Sequence, residues 1–111
     1  RKEHYRKNKQ QYFDRNKKNL ARGKEYIIEL KSKTPCTDCD SLFPDEPWLM
    51  EFDHLPEYAK SENISKIVGC YGYSKKLLDE IAKCELVCVL CHRRRTAARG
   101  AWTLNRFEDW L

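Results

Sequence analysis

The sequence predicts a small α+β domain with a basic helix ahead of it, held together through cysteines more than through a large core. Three observations point there. Apolar residues make up 41% of the 111 residues and charged residues 35%, so a single domain of this length is short of core material. Four of the six cysteines fall in two Cys-x-x-Cys pairs, Cys36/Cys39 and Cys88/Cys91. Helix formers without proline fill residues 3–33, and shorter strand-like, turn-like and helical segments follow.

Residues 3–33 are rich in Lys, Arg, Glu, Gln and Leu, with Gly23 as the only glycine, and this composition favours a helix. Tyr12, Phe13, Leu20, Ile27 and Leu30 give a ragged apolar stripe that is regular only from Leu20 to Leu30. The C-terminal half is therefore expected to dock on the core, and the half from Arg1 to Lys18 to stand exposed, frayed, or ordered only on nucleic acid. Thr34-Pro35 ends the helix, because the residue before proline avoids helical backbone. Residues 36–47 are turn-rich, and residues 48–54 (Trp-Leu-Met-Glu-Phe-Asp-His) read as a short strand closed by Pro56. A short helix is expected over 63–68. A second runs from Lys75 to about Lys83, with Ser74 as N-cap and Leu77, Leu78 and Ile81 on one face. Residues 85–89 form a short apolar stretch. A last helix is expected from His92 to about Arg99, stopped by Gly100, and a tail carrying Trp102, Phe107 and Trp110 is expected to cover core surface.

Two Cys-x-x-Cys turns deliver the four thiolates that a closed tetrahedral zinc site requires. Zinc binding would supply folding free energy that a thin core lacks. The 48 residues between Cys39 and Cys88 exceed the spacer of a compact finger, so the insertion carries structure of its own. Three disulfides in a secreted domain are the competing reading; the paired spacing, with His92 directly after Cys91, favours zinc in a reducing cytoplasm. Cys70 and Cys84 lack a partner pattern and are expected to be inert core thiols.

The net charge is +5, and it is unevenly spread. Residues 1–33 carry twelve Lys/Arg against four Asp/Glu, a balance of +8; residues 34–111 carry ten against thirteen, a balance of −3. Such a basic arm, which includes Lys17 and Lys18, suits a polyanionic partner, although a solvated charged helix has the same composition. No apolar run approaches the ~20 residues needed to span a bilayer, and no secretory leader is visible. Opening on Arg1, the chain is read as a trimmed piece.

The order Cys36-x-x-Cys39, Phe52-Asp53-His54-x-Pro56, Cys88-x-x-Cys91-His92-Arg93 resembles the four-cysteine, zinc-containing branch of the HNH endonuclease family, over about residues 30–96. The resemblance implies a ββα-metal (treble-clef-like) finger, with a hairpin strand ending at Asp53-His54 and a helix starting near His92. It implies metal-dependent hydrolysis of DNA phosphodiesters. In that scheme His54 is the general base, and Asp53 and His92 hold one divalent ion, Mg²⁺, Mn²⁺ or a transition metal, against the scissile phosphate. The residue types suit the chemistry. A divalent ion neutralises charge developing on a poor leaving group, and imidazole titrates near neutral pH. Neighbours in a flat strand point to opposite faces, so the strand must end or twist at Asp53-His54.

The family's middle asparagine lies shortly before the second cysteine pair. Here that stretch is Lys83-Cys84-Glu85-Leu86-Val87, so orienting His54 falls to a backbone carbonyl or another side chain, with Asn63 a candidate by residue type alone. Arg93, Arg94, Arg95 and Arg99 follow the motif without an intervening acid and are expected to grip phosphates, since guanidinium pairs with them in bidentate fashion.

The chain is thus read as a basic helical arm (1–33) and one zinc-stapled nuclease domain (34–111). It is expected to act on double-stranded DNA with structural zinc and a catalytic Mg²⁺ or Mn²⁺, nicking as a monomer, with no membrane association and an oligomeric state the sequence leaves open. The competing readings are a catalytically silent zinc module that binds nucleic acid, and a zinc-stapled protein-interaction domain.

Overall fold

The computed structural model describes residues 2–100, with side chains from residue 8 onward; the expected tail around Trp102, Phe107 and Trp110 lies outside the described residues. The described part is a small α+β unit. It runs α1 (Lys2–Lys33), β1 (Met50–His54), α2 (Ile64–Tyr71), α3 (Lys75–Ile81), β2 (Cys84–Cys88) and α4 (Val89–Ala98). β1 and β2 form an antiparallel pair in which Met50 faces Cys88, Asp53 faces Glu85 and His54 faces Cys84. The two short helices α2 and α3 are the insertion between the hairpin strands. Among the described residues no helix is long and apolar enough to cross a membrane.

The core has two lobes joined by Phe52. One gathers Met50, Leu86, Val87 and the buried cysteines, with Leu30 and Phe43 against them. The other gathers Ile64, Ile67, Val68 and Leu77, with Leu20, Ile27, Ile81 and Cys84 alongside. Phe52 packs on both. The regular part of the α1 stripe therefore docks as expected, while Phe13, ahead of it, is 62% exposed. The backbone of α1 is helical from Lys2, with one break at Asn8 (φ −115°, ψ 16°).

α1 crosses the α2–α3 turn at close range. A Cβ at buried Gly23 would lie 2.8 Å from the Tyr73 nitrogen, and one at Gly72 2.7 Å from the Asn19 oxygen. Gly72 also takes a positive φ of 61°, which glycine adopts without strain. The Tyr73 amide donates to the Asn19 carbonyl at 3.1 Å, and the Asn19 side-chain amide donates to the Tyr71 carbonyl at 3.1 Å. The crossing fixes the insertion against the helix and so sets the cleft described below.

Several element ends differ from the sequence expectation. The strand begins at Met50, because Pro47 opens a single 3₁₀ turn over Pro47–Leu49. α3 stops at Ile81. α4 starts at Val89, not His92: Cys88 caps it through its sulfur, which accepts from the Cys91 amide, so the second cysteine pair is the first turn of the helix. Residues 84–88 are a full strand. Cys70 is exposed, not a core thiol, because the buried stripe of α2 runs through Ile64, Ile67 and Val68. Cys84 is half-buried; its thiol donates to the Glu80 carbonyl at 3.4 Å, and burial pushes its pKa up to about 11.

Candidate metal centre and reactive cleft

The four paired cysteines converge. Their sulfurs all lie within 4.8 Å of one another, and Cys39 and Cys88 are 3.9 Å apart. Zinc–sulfur bonds of ~2.3 Å in a tetrahedron put sulfurs ~3.8 Å apart, so the donor set fits such an ion in number, type and spacing. The local structure explains the convergence. The Cys36 amide donates to the Ser41 carbonyl at 2.8 Å and the Asp40 amide to the Cys36 carbonyl at 2.9 Å, which folds the first pair into a tight turn. Asp40 takes a positive φ of 64° there. The Thr37 amide and hydroxyl both donate to the Leu86 carbonyl, at 3.0 and 2.8 Å, docking the turn on β2.

The sulfurs are also prepared as acceptors. The Cys88 amide donates to the Cys36 sulfur at 3.2 Å, the Cys91 amide to the Cys88 sulfur at 3.5 Å, and the Arg94 guanidinium lies 3.9 Å from the Cys91 sulfur. The Ser41 hydroxyl beside Cys39, then its backbone and Cys36, lower the Cys39 thiol to about 6. At Cys91 burial and the neighbouring thiols push the pKa up to about 12. A cluster of thiols ionises only in part by itself, and a bound cation removes that limit.

The second constellation sits on β1. Asp53 and His54 diverge, as the pleat requires. Asp53 turns toward α4 and is 3% exposed. Its Oδ1 accepts from Arg99 at 2.8 Å. Its Oδ2 accepts from Arg99 and from Arg95, each at 2.8 Å. Burial alone would raise this carboxyl; the two guanidiniums outweigh it and hold the pKa at about 2. Arg95 is itself gripped by both oxygens of Asp38, at 2.6 and 2.7 Å, and by Glu85 at 3.1 Å. A network of carboxylates and guanidiniums thus runs from the first cysteine turn to the end of β1.

His92, one residue past the cysteines, lies beside this network. Its Nε2 is 3.4 Å from Asp53 Oδ1, and its Nδ1 is 2.9 Å from Glu51 Oε1. The imidazole thus lies between two carboxylates of the same strand face, Glu51 at Nδ1 and Asp53 at Nε2. Ligands ~2.1 Å from a small divalent ion and at right angles are ~3 Å apart, close to the observed spacing. Oδ1 accepts a single guanidinium bond and keeps a lone pair, whereas Oδ2 accepts two. One carboxylate oxygen and one imidazole nitrogen thus face each other at 3.4 Å beside the guanidinium network.

His54 turns the other way, toward α3, where its Nε2 is 2.9 Å from Glu80 Oε2. Both histidines nevertheless line one open cavity of about 420 Å³, together with Glu51, Lys31, Lys60 and Asn63. Lys31 comes from the last turns of α1; its Nζ lies 5.3 Å from the Phe52 ring centre, and burial pushes its pKa down. Lys60 is an exposed residue of the β1–α2 loop.

The predicted arginines thus separate. Arg95 and Arg99 are spent on Asp53, Asp38 and Glu85, Arg94 points to a cysteine sulfur, and Arg93 is exposed. Lys17 and Lys18 lie on α1 well ahead of the cleft, Lys18 in a shallow groove with Arg15 and Arg22. Glu51, Lys31 and Lys60, charged residues at the cleft, went unread in the sequence, and so did Glu80, the partner of His54. Glu51 carried a usable signal, since it precedes Asp53 by two on one strand face. Glu80 carried another, a charge three residues past Leu77 on the helix face that packs inward. The chain matches no family model, no curated protein and no solved structure.

Proposed function

We propose that this chain is a divalent-metal-dependent DNA endonuclease of the HNH type, a ββα-metal finger in which a structural zinc holds the hairpin and α4 together. The observation that carries the reading is the line Glu51–His92···Asp53, with Asp53 Oδ1 and His92 Nε2 3.4 Å apart, beside a cavity that His54 and His92 share. Cys36, Cys39, Cys88 and Cys91 would hold zinc, and thiolate ligation goes with a reducing, cytoplasmic setting. Asp53 and His92 would hold Mg²⁺ or Mn²⁺, which when bound neutralises charge on the leaving oxygen.

The chain's own residues supply the rest. His54 accepts a proton from water as the water oxygen bonds to phosphorus. The bond from phosphorus to the leaving oxygen breaks, and that oxygen is protonated by solvent. Lys31 and Lys60 face the same cavity and balance the phosphodiester charge. Arg95 and Arg99 hold the Asp53 carboxylate in place; the phosphate grip expected of them passes to the two lysines, with Arg93 and the basic arm, including Lys17 and Lys18, meeting backbone farther along. Phosphate contacts of this kind position without specifying sequence. One site addresses one strand, so a monomer nicks double-stranded DNA.

One observation favours a second reading, a catalytically silent zinc module that binds nucleic acid: two guanidiniums already neutralise Asp53. Relaxation of supercoiled plasmid by the zinc-loaded protein, with Mg²⁺ or Mn²⁺ and with neither ion added, separates the two. The nuclease reading expects metal-dependent nicking that His54→Ala abolishes, with zinc content unchanged. Binding without nicking in every metal tested would establish the silent module instead.

A further inference from the structure

The sequence leaves open which group orients His54, because the asparagine of the resembled motif is missing. We infer that Glu80 is the positioning residue: it fixes the proton of His54 on Nε2 and leaves Nδ1 as the bare nitrogen. The inference rests on the reading of His54 as a base, but its central observable needs no substrate.

Glu80 lies on α3, a helix started by Ser74, whose hydroxyl accepts from the Leu77 amide at 3.2 Å. Leu77 is fully buried, and three residues on, the same helix face carries Glu80, 2% exposed. A carboxylate in that position is costly unless donors surround it, and they do. Oε2 accepts from the Ser61 amide at 3.1 Å and lies 2.9 Å from His54 Nε2. Oε1 accepts from Lys83 Nζ at 3.1 Å. Burial by itself would raise the Glu80 pKa, yet these donors bring it below the ordinary glutamate value. The carboxylate is ionised and has no proton to give.

The direction of the His54 bond follows. An ionised carboxylate only accepts, so His54 Nε2 must be the donor. In a neutral imidazole the other nitrogen is then the lone-pair site. The side chain of His54 is 16% exposed, and its exposed part contributes to the cavity lined by Lys31, Lys60 and His92. Asn63 lines that cavity too, but Glu80 is the group bonded to His54. The pair also mirrors His92. Each histidine of the cleft has one ring nitrogen 2.9 Å from a glutamate oxygen, Nε2 at His54 and Nδ1 at His92.

Long-range ¹⁵N–¹H spectra of the zinc-loaded full chain at neutral pH test this, with the His54 signals assigned from their loss in His54→Gln. The expected result is a neutral His54 protonated at Nε2. A wild-type His54 protonated at Nδ1 overturns the inference outright. Glu80→Gln is expected to keep the tautomer. Its carbonyl serves Ser61 and His54, while its NH₂ faces Lys83, which already has the Ala59 carbonyl at 2.9 Å as a second acceptor. Glu80→Met removes the acceptor, mixes the tautomers and lowers kcat for nicking by about 10–100-fold with KM unchanged. A folded Glu80→Met protein with the wild-type tautomer or the wild-type kcat overturns the inference. Should that variant not fold, Glu80→Asp, one methylene too short to reach His54, serves the same comparison with the same two outcomes. A wild-type chain that never nicks but shows His54 protonated at Nε2 defeats the nuclease reading while supporting the Glu80 assignment; nicking with an Nδ1–H tautomer does the reverse.

Discussion

The cysteine cluster and the β1 face are built on opposite plans. The cluster is closed. Four sulfurs from two short turns meet within 4.8 Å, and its hydrogen bonds come from its own backbone and near neighbours. The β1 face is open and borrowed. Asp53 depends on Arg95 of α4 and on Arg99 just past its end, His92 on Glu51, and His54 on a glutamate of α3. A closed set can be complete from a few residues of local spacing; an open set needs the whole fold to assemble it. The two should therefore fail differently.

The largest expected effect belongs to the cluster. Structural zinc contributes ~10–16 kcal/mol of apparent binding free energy, comparable to the whole stability of a small domain. Stripping zinc with a strong chelator under reducing conditions, or substituting the fully buried Cys36 (0% exposed) by serine, should abolish the cooperative thermal transition followed by circular dichroism. Elemental analysis of the wild type should give one zinc per chain. An apo chain that still melts cooperatively near the wild-type temperature would show that the cluster is not what holds hairpin and α4 together.

Asp53→Ala should cost less and act elsewhere. It leaves two guanidiniums without their buried partner. The Arg95 side chain is 17% exposed, that of Arg99 38% and that of Asp53 4%, so solvent screens part of the loss, and about 2 kcal/mol is expected in urea unfolding. Zinc content should stay at one per chain while Mn²⁺ binding, read by electron paramagnetic resonance, is lost. Loss of zinc in this variant would erase the distinction between a closed and an open site.

How much of each region the sequence discloses follows the same division. The Cys-x-x-Cys spacing, the strand ending before Pro56 and the Ser74 cap are local patterns, and the structure reproduces the elements they predict. The β2 strand was visible only as an apolar stretch, because five residues without clear alternation do not declare their period. Arg95 and Arg99 read as phosphate ligands because nothing local links them to Asp53, 42 and 46 residues earlier. That pairing exists only once α4 packs beside β1. Glu80 is similar: its partner His54 lies 26 residues away. Open sites are under-read from sequence because their partners are chosen by tertiary contact.

The division of cations sharpens the comparison at smaller amplitude. Lys31→Gln and Lys60→Gln should each weaken DNA binding by the zinc-loaded chain about 3–10-fold with no Mg²⁺ or Mn²⁺ added and reduce the magnitude of the salt slope by about 1, measured by fluorescence anisotropy across a salt series. Arg95→Gln should lower stability and leave that slope within error, since its charge is already spent on carboxylates. If Arg95→Gln flattens the slope and the lysine variants do not, the arginine row grips phosphate after all and the cleft lysines are bystanders.

The smallest effect on stability is expected at the far end of α1. Residues 1–18 carry eight Lys/Arg against two Asp/Glu, while the α1 side chains packed on the core begin at Leu20. Deleting them should shift the melting temperature by only a few degrees, since the described side chains among them, residues 8–18, take no part in either core lobe and exposed helix contributes little to global stability. The salt slope should nonetheless fall by about 2–4, a larger change than either cleft lysine produces. The separation is informative because the two measurements have different origins: stability follows burial, which starts at Leu20, and polyanion affinity follows charge, which is concentrated ahead of it. A deletion that unfolds the domain would place the arm inside the core's cooperative unit, and one that leaves the salt slope unchanged would remove it from the nucleic-acid interface and leave the cleft lysines to bind alone.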